Sequence, residues 1–165
     1  MPRVYNDVKI IFVSIVCLKD PNYMTMNKIK DSNYHKFIGK WRTSGEVRVG
    51  AKKLPLVGVD SYEFILNDNC ILHKADVHIG GEHSETFEMI TMLPGDKVKM
   101  QYANSRGESG LMTGNLINNM FTIEGDGIKF NGQMNNDYSV LVGHWYLLSE
   151  NGDWEQFITL KLEKY

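Results

Sequence analysis

The chain has 165 residues, 42% apolar and 23% charged, which suits one compact domain and excludes a disordered tail or a coiled coil. Its 18 Lys plus Arg against 20 Asp plus Glu leave a formal net charge of −2, too small a field to gather nucleic acid or an anionic membrane. Cys17 and Cys70, the only cysteines, lie far apart, exclude a disulfide framework and point to a reducing cytoplasmic compartment.

Residues 1–30 read as a leader or loosely packed N-terminal extension. Within them residues 10–18 (IIFVSIVCL) are apolar but too short to span a bilayer. No small-x-small cleavage pattern follows Leu18, and the residues before Cys17 do not fit a lipidation site. Export through a signal is therefore the second expectation, behind a translation start at Met24 or Met26 or an additional strand. No Asn-x-Ser/Thr sequon occurs to argue for secretion.

The domain itself is expected over residues 31–165. Residues 31–37 (DSNYHKF) offer a helix N-cap followed by Tyr34, Phe37 and Ile38 at helical spacing, a turn or two placed to close one end of a sheet. From residue 67 onward turn chemistry recurs at short intervals: Asn67-Asp68-Asn69, Gly80-Gly81, Pro94-Gly95-Asp96, residues 104–107, Asn118-Asn119, Gly125-Asp126-Gly127, Asn135-Asn136-Asp137 and Asn151-Gly152-Asp153. The runs between them alternate with period two, as in Ile71, His73, Ala75, Val77 and Ile79, and none has room for a crossover helix. Tight loops make successive strands antiparallel neighbours, and a meander of about ten strands avoids exposed edges by closing on itself. The expected fold is all-β, an antiparallel up-and-down barrel with a short N-terminal helix; a two-sheet sandwich is the structural alternative.

Phe37-Ile38-Gly39-Lys40-Trp41 gives the first strand a Gly-x-Trp start, and Gly143-His144-Trp145 repeats the triplet late in the chain. Together with residues 59–64 (VDSYEF), 72–82 (LHKADVHIGGE) and 150–154 (ENGDW), this closely resembles bacterial lipocalin-like proteins of unknown function, over residues 37–164. The resemblance implies a calycin-type barrel and brings no catalytic residue or ligand with it. Lipocalins often set a basic side chain over that first tryptophan, a role the resemblance offers to Lys161 or Lys164.

His73, His78 and His83 invite a metal reading, but an odd spacing on a strand sends His73 and His78 to opposite faces, and His83 lies at a turn with Glu82 and Glu85. No metal site is expected. His73 shares the inward face, where a buried imidazole needs a partner such as Tyr62, Ser61 or water. The terminal LKLEKY has no histidine to serve as a haem ligand of the nitrobindin type, and no cofactor is expected. Glu63, Asp76, Glu85 and Glu88 are the carboxylates at hand, with Glu63 and Asp76 facing outward. No nucleophile elbow, phosphate loop or Cys-x-x-Cys pair is present.

Tyr62, Phe64, Phe87, Met89, Met100, Tyr102, Phe130 and Trp145 are the large side chains expected to fill or line the interior. The functional expectation is a small apolar or amphipathic ligand bound in the lumen, with Trp41, Tyr62, His73, Met100, Tyr102 and Trp145 as ligand-binding residues. One alternative is an isomerase or hydrolase using His73 with a carboxylate, which needs a carboxyl oxygen at that imidazole inside a pocket. Another is a structural domain with a filled core that self-associates as a homodimer.

Overall fold

The computed structural model describes residues 28–165; the apolar stretch, Cys17 and the two internal methionine starts lie outside the described residues. Ten strands follow one another: β1 (Gly39–Val49), β2 (Lys52–Ile65), β3 (Cys70–Ile79), β4 (Glu82–Met92), β5 (Lys97–Asn104), β6 (Ser109–Ile117), β7 (Met120–Gly125), β8 (Ile128–Met134), β9 (Val140–Leu148) and β10 (Trp154–Lys164). Each pairs antiparallel with its chain neighbours, and β10 returns to β1 with Trp41 opposite Lys164, so the sheet is a closed barrel rather than a sandwich. Every turn signal read from the sequence falls at a strand junction, with Asn104 and Gly125 as the last residues of β5 and β7. Asn118 and Asn119 both hold positive φ, 49° and 67°, between Ile117 and its partner Met120, the backbone that a two-residue hairpin of matching twist demands. No helix among the described residues is long and apolar enough to cross a membrane.

One end of the barrel is plugged. Two short 3-10 helices, Ile29–Asp31 and Asn33–Phe37, replace the single helix expected there. Ser32, not Asp31, caps the second, its side chain accepting from the Tyr34 backbone N–H at 3.2 Å. Ile29, Tyr34 and Phe37 are buried, and the Tyr34 hydroxyl reaches the Gly114 carbonyl oxygen at 3.2 Å. Ile29, which fell in the expected leader, is thus part of the packed body. Trp41 is fully buried beneath Phe37, its Nε1 donating to the Phe37 carbonyl at 2.7 Å. Gly39 makes that approach feasible because its φ of +126° is closed to other residues. Lys164 sets its Nζ 5.1 Å from the Trp41 ring and donates to the Lys36 carbonyl at 3.0 Å, whereas Lys161 faces away toward Glu163.

Burial of inward side chains falls along the strands toward the other end. On β3, Ile71 and His73 are buried while Ala75, Val77 and Ile79 are half-buried. On β4, Met92, Ile90 and Glu88 are buried while Thr86 and Ser84 are half-buried, and on β10 Leu162 gives way to half-buried Leu160 and Ile158. The lumen therefore has a floor at the helices and a mouth opposite. Phe130, 1% exposed, lies across the facing pair Gly132 and Gly143, where an added Cβ would come within 2.6 and 2.4 Å of its ring.

Candidate functional site

Between floor and mouth, four neighbouring strands each contribute one buried polar side chain: Thr43 from β1, Asp60 from β2, His73 from β3 and Glu88 from β4. Alternation alone orients them, since Asp60 shares parity with buried Tyr62 and Glu88 with buried Ile90. Register then joins them. His73 stands directly opposite Glu88, while Asp60 lies one diagonal step from His73, next to the Tyr62–His73 pair.

His73 Nδ1 lies 2.6 Å from Glu88 Oε2 and its Nε2 lies 2.6 Å from Asp60 Oδ1. The Thr43 hydroxyl donates to Asp60 Oδ2, so both oxygens of that carboxylate are engaged. All four residues are at most 9% exposed. For both short contacts at His73 to be hydrogen bonds to carboxylates, each ring nitrogen must carry a proton, making the ring an imidazolium. Burial alone would lower its proton affinity, but its hydrogen bonds to Asp60 and Glu88 and their charge prevail, and its pKa is pushed up to about 10. Tyr62 stacks on the imidazole at 4.1 Å between ring centres and 3° between planes, a phenol face against a cation. Burial, then the charges of Asp60 and Glu88, hold the Tyr62 hydroxyl well above its ordinary pKa, so it stays a neutral O–H.

The array opens on a cavity of about 240 Å³ whose remaining wall is largely apolar: Phe37, Ile71, Met100, Phe121, Phe130 and Trp145 among others. Of the ligand-binding residues expected from sequence, Tyr62, His73, Met100 and Trp145 line this space. Trp41 does not, being sealed under the floor, and neither does Tyr102, whose half-buried ring turns against Gly110 nearer the mouth. Phe87 and Met89 face outward, 46% and 37% exposed, because Glu88 between them takes the inward position.

The partners of His73 differ from those expected. Tyr62 stacks on it rather than hydrogen-bonding, and Ser61 has the opposite parity. The Glu88 contact was within reach of the sequence: with Gly80 and Gly81 as a two-residue turn, counting seven back and seven forward pairs residue 73 with residue 88. Asp60 was harder to place, because residues 66–69 admit several turn geometries and each sets a different β2–β3 register. On the outer surface Asp76, His83 and Glu85 converge, but Lys74 already bridges both carboxylates, at 3.8 and 3.1 Å, and His83 meets Asp76 at 2.9 Å. That group is an exposed ion-pair network beside the tilted ring pair His78 and His83.

No family model matches the chain, and no curated protein matches it in sequence. Among solved structures, Rv2717c from M. tuberculosis is similar over 79% of this chain and 93% of its own, with a TM-score of 0.63 and 7% identity. The S-type phycobiliprotein lyase CPES from Guillardia theta is similar over 84% of this chain and 93% of its own, with a TM-score of 0.49 and 7% identity. At such identity the first likeness speaks for the fold alone: a lipocalin-like, calycin-type barrel.

Proposed function

We propose that this barrel admits a small, mainly apolar molecule through its mouth and holds one polar group of that molecule at the Asp60–His73–Glu88 array. The observation that carries the reading is the cavity itself, greasy on most sides and ionic on one. Its volume of about 240 Å³ exceeds the roughly 150 Å³ of a dry engineered cavity that takes up benzene, so a single ring or short chain bearing one functional group is the size class supported. A filled structural core is disfavoured by the same volume.

Carboxyl oxygens do reach His73 inside a pocket, as an isomerase or hydrolase would require. An imidazole that donates from both nitrogens, however, has no lone pair left to take a substrate proton at neutral pH. The geometry thus supports recognition over general-base catalysis by His73. Native mass spectrometry of the gently purified full chain, set beside a denatured extract, tests the proposal. A mass increment lost on denaturation is expected. An unliganded mass in every preparation, with no tryptophan fluorescence change on titration with small aromatic and aliphatic probes, would overturn it.

A further inference from the structure

Two carboxylates and one imidazolium leave the polar wall with one formal negative charge, and among the described residues no lysine or arginine lines the cavity to balance it. Uncompensated charge in a buried, mainly apolar site is costly, and a ligand of opposite sign relieves it. Glu88 also keeps unused acceptor capacity. Both Asp60 oxygens are engaged, but Glu88 spends only Oε2 on His73, and no described residue donates to its other oxygen. Tyr62, 8% exposed and lining the cavity, has a hydroxyl with no hydrogen-bond partner among the described residues. Glu88 and Tyr62 both abut His73; the free carboxylate oxygen can only accept and so suits an N–H donor, the phenol oxygen can accept a second while its own proton stays available to donate, and an incoming carboxylate would meet Glu88 as a like charge.

Resting on the luminal reading above, we propose that the ligand is a monocation, an ammonium group on an apolar ring or short chain, whose N–H groups are given to Glu88 and Tyr62. Phe121, Phe130 and Trp145 offer the apolar body a surface that also tolerates a nearby cation. Fatty-acid-type anions are rejected by the same wall.

Three probes of nearly equal shape decide the matter on the full chain at pH 7: 2-phenylethylamine, 2-phenylethanol and 3-phenylpropanoate, each titrated by calorimetry and by NMR of the methionine methyls. The amine is expected to bind at least about tenfold tighter than the alcohol, the worth of one charge-assisted hydrogen bond, with no saturable binding of the carboxylate. Glu88→Gln is expected to bring the amine down to the alcohol's affinity, and Tyr62→Phe to weaken the amine by about threefold to tenfold. Equal binding of amine and alcohol, or preference for the carboxylate, overturns the cationic ligand while leaving luminal binding intact. Failure of all three to perturb Met100 overturns both. Should Glu88→Gln not fold, the ranking on the unaltered chain and the Tyr62→Phe variant carry the decision.

Discussion

Lodged between two buried carboxylates, His73 ties the stability of the barrel to pH. Its folded-state pKa is raised from 6.5 to about 10, so the stabilisation is complete below about 6.5 and is lost as pH rises through 10. Urea unfolding should therefore show a midpoint that falls between pH 6.5 and 10, and a His73→Asn variant should lack that slope. Removing the imidazole alone leaves Asp60 and Glu88 buried without their common partner, a loss of about 3–5 kcal/mol. Replacing all three together, Asp60→Leu with His73→Phe and Glu88→Leu, should recover much of it, a non-additivity that denaturant titration of the single and triple variants reads directly. The inward course of His73 was legible from alternation, and so was that of Tyr62. What a single sequence could not supply was the meeting of residues 60, 73 and 88, because it depends on two hairpin registers at once.

The 3-10 segments and the strands differ in how firmly their residues announce them. Apolar Tyr34, Phe37 and Ile38 fit any short helical turn, so the spacing foretold a plug without choosing between one helix and two tighter ones. Phe37 holds that plug to the lumen, with ring centres 4.8 Å from Phe121 and 5.4 Å from Tyr62. Phe37→Ala should destabilise the fold by about 3–5 kcal/mol and unseal the floor, measurable as a lowered Tm together with new binding of a hydrophobic dye. In β4 the wish to turn apolar residues inward misplaced Phe87 and Met89, since the polar array has taken the inward position of that strand. The β8–β9 ladder makes the opposite demand. Gly143→Val would drive two methyl groups into Phe130 and should cost about 1–3 kcal/mol or more, checked by thermal unfolding.

At the scale of the whole molecule, the graded burial of the described residues from floor to mouth sets the cavity's approach at the end opposite the 3-10 helices. Ala75, half-buried and paired with Asp60 on one side and Thr86 on the other, stands on that route. Ala75→Trp should slow or abolish uptake of the aromatic probes while leaving the Tm within a few degrees, a separation that paired calorimetry and thermal melts would display. Barrel closure itself was legible, because ten tightly connected strands have few other ways to protect their edges; which end is sealed depends on how deeply Trp41 and the 3-10 segments insert. The seam between β1 and β10 brings the first and last strands of the barrel into one ladder, Trp41 beside Lys164. During synthesis the nascent sheet must accordingly wait, with β1 unpaired along one margin, until the ribosome has released the final strand. A chain stopped before Trp154 would keep two sticky margins for life, and its fate should be assembly with its own kind rather than a looser version of the same vessel.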